Sequence, residues 1–159
     1  MADYSDLFTP SSSDSGFDAT LKVESGNRQF DKYGNPLTSS AGAVGAAQVM
    51  PSTGPEAAKL ANEDFNPYRL ALDEDYNKKL GKAYYEEQLK TFNGDEEKAH
   101  AAYNAGPNAV QKAIERAKKE GGNWKDYLPE ETKQYLPKIE AAKGSTFEKT
   151  STSDDYASL

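Results

Sequence analysis

Residues 73–106 read DEDYNKKLGKAYYEEQLKTFNGDEEKAHAAYNAG, and this stretch decides the fold class. Tyr76, Leu80 and Tyr84 recur every four residues, and Tyr85, Leu89 and Phe92 carry the stripe onward. That spacing lays apolar side chains along one helical face. Asn93-Gly94 stops the helix. Asp95 is placed to cap the next one, with Glu96 and Glu97 at its positive end. The second helix carries Ala99, Ala102 and Tyr103 and stops at Gly106. Downstream, Pro107 opens a helix with Val110, Ile114 and Ala117 inward, closed by Gly121-Gly122. A last helix over 130–143 follows Leu128-Pro129. Upstream, Asn66-Pro67 begins a short helical turn. Pro51-Ser52-Thr53-Gly54-Pro55-Glu56 starts another helix, capped by Ser52 or Thr53 and running to about Ala61. The first element spans 17–25, capped by Asp18 and ended by Gly26. No alternating strand pattern is present, so the expected fold is mostly α.

Between the first and second helices lies a long irregular stretch, 27–47, punctuated by Gly34, Asn35-Pro36, Gly42 and Gly45. Loops of that length without structure are uncommon and usually functional. Residues 1–16 and 145–159 are polar and small, so they read as a flexible leader and a flexible tail around one domain at 17–144. The 159 residues carry a formal net charge of −7, much of it in those two ends. The middle is nearly balanced and has no basic stripe, which argues against nucleic-acid binding. No apolar run approaches a membrane span, so no membrane insertion is expected. The chain has no cysteine and one histidine, which excludes disulfides, Cys-based metal sites and sites with several His ligands. Seventeen aromatics remain to build a core.

The familiar phosphate-loop, zinc-protease and serine-hydrolase motifs are absent. Asp31-x-Tyr33-x-Asn35 starts like a calcium loop, but its sixth position is Pro36 and its twelfth Gly42. His100, between Ala99 and Ala101, reads as a packing or surface residue. Carboxylates are left. Glu24 closes a short helix and opens onto the glycine-rich loop. A carboxyl packed against apolar neighbours resists ionisation and can serve as a general acid on a glycosidic oxygen. By itself, a glutamate at a helix end is more often a solvated charge.

Its neighbours sharpen the reading. Val23-Glu24-Ser25-Gly26-Asn27 is followed by Ser39-Ser40-Ala41-Gly42-Ala43-Val44-Gly45-Ala46-Ala47-Gln48-Val49-Met50-Pro51. Then come Ala102-Tyr103-Asn104-Ala105-Gly106 and Glu131-Thr132-Lys133-Gln134-Tyr135. Four motifs in this order resemble the soluble lytic transglycosylase (SLT) family, lysozyme-like enzymes that cut peptidoglycan glycan strands. The resemblance covers about 17–142 and includes Asn77, Leu80, Gly81 and Tyr84. It implies a helical fold of the goose-type lysozyme kind with a long active-site loop. Two departures stand out. The segment 31–36 lengthens the loop, and Ala46-Ala47 replaces larger side chains, which would widen the site.

The resemblance implies that Glu24 is the sole acid/base. It would cleave the β-1,4 bond between MurNAc and GlcNAc and leave 1,6-anhydro-MurNAc ends, without metal or cofactor. It assigns substrate contacts to Ser25, Ser39, Gly45, Gln48, Met50, Tyr103, Asn104, Glu131 and Tyr135. Plainer roles stand beside several of these: helix-end polar group for Ser25, core for Tyr103, capping for Asn104, surface charge for Glu131. Asp31 is the alternative second acid. Rival readings are a hydrolytic lysozyme on the same fold and a non-catalytic peptidoglycan-binding virion module. The substrate places the action in the bacterial periplasm or cell wall. The N-terminus has no basic and apolar signal pattern. Tailed phages carry similar domains in virion proteins, so carriage among other virion proteins is one expected route, and an exported precursor another.

Overall fold

The computed structural model describes residues 12–151, and the side chains of 13–144. The elements are α1 (Ser12–Ser25), α2 (Gly54–Leu60), α3 (Pro67–Leu72), α4 (Glu74–Thr91), α5 (Glu96–Ala105), α6 (Pro107–Glu120), a 3₁₀ turn (Trp124–Tyr127) and α7 (Glu130–Ser151). Among the described residues there is no strand. The long loop holds only isolated antiparallel bridges, Phe30 with Pro36, Thr38 with Val44, and Val44 with Val49. The helices start where capping chemistry places them. Asp73 accepts from the amide of Tyr76 at 3.0 Å, Asp95 from that of Lys98 at 3.1 Å, and Asn66 from those of Tyr68 and Arg69. Thr53 occupies the position before α2 but makes no side-chain cap. Pro55 in the first turn has no amide hydrogen to satisfy.

α1 corrects the expected start. It begins at Ser12, so Asp18 lies within the helix rather than capping it. Composition argues for coil over 12–16, but tertiary contacts hold it. Gly16 sits under the Tyr85 hydroxyl, where a Cβ would collide. Asp14 pairs with Lys82, and the His100 Nε2 lies 3.0 Å from the Gly16 carbonyl oxygen. His100 is therefore a packing residue, its other ring nitrogen 2.8 Å from the Glu96 carbonyl oxygen. At the other end, α7 runs eight residues beyond 143. The rest of the expected leader, 1–11, and of the tail, 152–159, lies outside the described residues.

α4 is the central element. α1, α2, α3 and α5 all pack against it. Tyr76, Leu80 and Tyr85 are buried as the spacing predicts, whereas Tyr84 stays partly exposed. The same face also buries Asn77, Gly81 and Gln88. A second cluster joins Ala101, Ala102, Val110, Ala113, Leu128 and Leu136, and a third joins Ala19, Tyr135 and Ile139 across α1 and α7.

The buried polar groups of Gln29 and Asn77 explain how an irregular loop can lie on this core. Buried backbone amides and carbonyls must find partners. The Asn77 Oδ1 accepts from the Ala47 amide at 2.9 Å, and its Nδ2 donates to the carbonyls of Val44 and Leu70. The Gln29 Oε1 accepts from the Ala46 amide at 2.9 Å, and its Nε2 donates to the carbonyls of Leu70 and Ala71. Ala46 and Ala47 are completely buried, and Ala47 faces Gly81 so closely that a Cβ there would strike it. The two alanines thus do not widen an open groove. They let the loop settle onto α4.

Gly45 has φ +78°, and a Cβ on it would overlap the side-chain amides of both Asn77 and Gln29. Gly45→Ala is therefore expected to destabilise the fold by about 2 kcal/mol or more, measured by urea denaturation.

Candidate active site

Glu24 sits in the last turn of α1, where unpaired helix carbonyls disfavour a negative charge. Burial raises its pKa from 4.5 to about 7, hydrogen bonding from Tyr135 opposes that shift, and the nearby negative charge of Glu131 adds to it. Tyr135 is buried, and its hydroxyl has no partner of good geometry, so its hydrogen bonding to Glu24 is weak. Burial, then the Glu24 charge, pushes the phenols of Tyr103 and Tyr135 well above their usual range. Both phenols therefore stay neutral beside a carboxyl whose pKa lies near 7.

The other residues singled out in the sequence divide into two groups. Gln48, Met50, Tyr103 and Asn104 line one open cleft of about 220 Å³ together with Val49, Thr53, Tyr84, Ala105 and Gly106. Tyr103 donates its hydroxyl to the Ala47 carbonyl at 2.6 Å and stacks edge-on against Tyr84, ring centres 5.7 Å apart. Asn104 is not a cap. Its Nδ2 lies 3.4 Å from Glu131 Oε1, and its Oδ1 accepts from Thr132 at 2.8 Å, linking α5 to α7. Glu131 is exposed. It lies close enough to Glu24 to act on it electrostatically.

Ser25, Ser39 and Gly45 are instead engaged within the protein. The Ser25 hydroxyl donates to the Ala46 carbonyl at 2.7 Å and accepts from the Arg28 amide at 3.1 Å. That is the helix-end role, pinning the loop to α1. The Ser39 hydroxyl accepts from the Ala43 amide at 3.0 Å and closes a turn. The close approach at Gly45 is made by Asn77 and Gln29. Gln48 is shared between the groups: it has φ +50°, and its Nε2 donates to the carbonyls of Gly45 and Leu37 while the side chain borders the cleft. Asp31 is occupied too. Its carboxylate accepts from the amides of Tyr33 and Asn35, and these bonds, that of Asn35 foremost, hold its pKa below the usual value.

Sequence reasoning missed Gln29, Thr20 and Thr132. Gln29 lies in a stretch that reads as loop. Thr20, fully buried one turn before Glu24, adds weak hydrogen bonding to Tyr135. Thr132 is buried, between the Glu131 and Tyr135 of the same motif. Among the described residues no cluster of His, Cys, Asp or Glu is suited to a metal, and no helix is long and apolar enough to cross a membrane.

A helical domain with one raised-pKa carboxyl close to a tyrosine of a cleft is the architecture of lysozyme-like glycan-cleaving proteins. Residues 14–125 match the family model of the transglycosylase SLT domain, and the chain belongs to that family. It is 36% identical over 113 residues to the membrane-bound lytic murein transglycosylase D of two Escherichia coli strains. That match spans 69% of this chain and 24% of the relative, so the chain spans about a quarter of the length of these curated relatives. An inactive point mutant of the lytic transglycosylase Slt from Pseudomonas aeruginosa aligns with a TM-score of 0.70 at 25% identity, covering 87% of this chain and 22% of that one. The 70 kDa soluble lytic transglycosylase of Escherichia coli aligns with a TM-score of 0.69 at 23% identity, covering 88% and 22%. A 70 kDa soluble lytic transglycosylase in complex with bulgecin A aligns with a TM-score of 0.70 at 23% identity, covering 88% and 22%. The expected fold is thus the observed one. These relatives are bacterial, and the virion route has no counterpart among them.

Two outcomes follow from the position of Glu24. Its folded pKa lies above the unfolded value, so its contribution to stability is complete below about pH 4.5 and is lost as pH rises through about 7. Glu24→Gln removes that loss. The variant should be more stable than the native chain by about 2 kcal/mol at pH 8, with a smaller margin at pH 5, in thermal denaturation. Tyr135→Phe removes hydrogen bonding that favours the ionised form. The Glu24 carboxyl should then titrate at higher pH, followed by carbon-13 NMR of that group.

Proposed function

We propose that this chain is a peptidoglycan lytic transglycosylase domain, with Glu24 as its single acid/base. The supporting observation is the Glu24 carboxyl itself. Burial at the end of α1 brings its pKa to about 7, within electrostatic reach of Tyr103 and Tyr135, in a chain of the SLT family. At neutral pH a substantial fraction is protonated and can act as an acid. In this reading Glu24 gives its proton to the oxygen between MurNAc and GlcNAc. The N-acetyl oxygen of the MurNAc attacks its own anomeric carbon as the GlcNAc hydroxyl leaves, as in substrate-assisted glycosidases. The resulting Glu24 carboxylate takes the proton from the MurNAc C6 hydroxyl. That oxygen displaces the N-acetyl oxygen and closes the 1,6-anhydro ring, so no water is consumed and Glu24 is protonated again.

Gln48 and Asn104 supply amide groups beside the cleft, suited to sugar hydroxyls and acetamido groups. Met50 and Tyr84 supply apolar contact. The scaffold roles of Ser25, Ser39 and Gly45 fix the loop that carries Gln48. A hydrolytic variant of the reaction has one observation in its favour: Glu131 is exposed, tethered by Asn104 and electrostatically close to Glu24, as a water-activating carboxylate would be. The domain would act on the wall in the periplasm, the site of its substrate.

Purified sacculi incubated with the protein should release muropeptides one water lighter than hydrolysis products, with no new reducing ends, by mass spectrometry. Reducing-end products would overturn the transglycosylase assignment and turn attention to Glu131. Glu24→Gln should lower turnover by about 10³-fold while leaving the circular dichroism spectrum unchanged.

A further inference from the structure

The large hydrophobic side chains left exposed are unevenly placed. Among the described residues they are Phe30, Tyr33, Leu60, Tyr68 and Leu72. Four of these five belong to the 29–37 turn and to α3, which Gln29 clamps together through the carbonyls of Leu70 and Ala71. Phe30 follows Gln29 directly and so lies beside the end of α3. Tyr68 stands one turn before Leu72, on the same helix face. Tyr33 and Tyr68 are 76% and 77% exposed, which leaves most of each ring in water.

The turn that carries Tyr33 is rigid. Phe30 bridges Pro36, Asp31 accepts from the amides of Tyr33 and Asn35, and the Asp31 amide donates to the Asn35 carbonyl at 2.8 Å. This is the segment that lengthens the loop relative to the family pattern. It shares its base with the candidate active site. The Leu37 amide donates to the Gln29 carbonyl, and the Leu37 carbonyl accepts from the Gly45 amide and from Gln48 Nε2. Gln48 borders the cleft. Tyr33 lies four positions from either end of the base of the turn, at most about 13 Å away. The turn that carries Phe30 and Tyr33 is therefore hydrogen-bonded at its base to the loop segment that borders the cleft.

We infer that Phe30, Tyr33, Tyr68 and Leu72 form an accessory platform for the glycan strand, holding sugars beyond those at the reacting bond. The inference rests on the proposed peptidoglycan substrate. That substrate is a polymer, so it must leave the small cleft and run over neighbouring surface. The C–H faces of its sugars are matched by exposed aromatic rings on a fixed support, which lose little freedom on binding.

The experiment uses the full chain carrying Glu24→Gln, with and without Tyr33→Ala and Tyr68→Ala together. Binding is measured to purified uncrosslinked glycan strands and to the shortest cleavable oligosaccharide. Both tyrosines are exposed, so little stability should be lost, and matched denaturation curves check this. Affinity for long strands should fall about tenfold, while affinity for the short oligosaccharide changes less than twofold. Equal affinity of the two forms for long strands would overturn the platform. So would a concentration-dependent self-association of the Glu24→Gln chain, seen by sedimentation and abolished by the tyrosine changes, since a second copy would then be the occupant. The sacculus digestion tests the proposed activity separately: native protein that leaves sacculi intact while the binding difference persists refutes the enzyme reading and keeps the platform.

Discussion

Two side-chain amides, on Gln29 and Asn77, carry the constraint on which the site depends. Between them they bind backbone groups of Val44, Ala46, Ala47, Leu70 and Ala71. A loop without regular structure normally stays at the surface, because its backbone polar groups need water. Here the amides replace water and allow the 45–47 segment to lie buried on α4. Removing either would leave unpaired backbone groups inside the core, at a cost of about 1–3 kcal/mol for each. Gly45 and Gly81 belong to the same arrangement, since Gly45 gives up a side chain where the loop meets the clamp and Gly81 where α4 meets Ala47.

The clamp sets the position of everything that faces the cleft. Ser25 ties the end of α1 to Ala46, and Tyr103 ties α5 to Ala47. Glu24 is thereby fixed against α5 and α7 in a partly dry environment. Its raised pKa follows from that placement. A carboxyl at the end of a free helix would be solvated and fully ionised at neutral pH. Asn104 and Thr132 hold α5 to α7 on the far side, which keeps Glu131 near enough to act on Glu24.

Most of the helical framework was legible in the sequence, because local chemistry determines it. The Tyr76–Leu80 spacing, the Asp73, Asp95 and Asn66 caps and the glycine stops act within a few residues of themselves. The start of α1 was not legible. Residues 12–16 are small and polar, and the Tyr85 ring, Lys82 and His100, all distant in sequence, contact this turn of the helix. Of the residues proposed to touch substrate, Gln48, Met50, Tyr103 and Asn104 do border the cleft. Ser25, Ser39 and Gly45 are engaged in holding the loop, a distinction that motif order does not contain.

The sequence by itself determined the helical class, the order of the helices and the family pattern, and it singled out Glu24 as a candidate, since periodicity, capping and motif order are properties of neighbours along the chain. Tertiary structure alone decided which polar residues face solvent and which are turned inward to satisfy the loop. It also decided that Ala46 and Ala47 close the core rather than widen the cleft, and that Glu24 holds its proton up to about pH 7. The physical reason is that burial and hydrogen-bond partnership depend on residues far apart in sequence, such as Asn77 with Ala47 or Glu24 with Tyr135, which only the folded chain brings together.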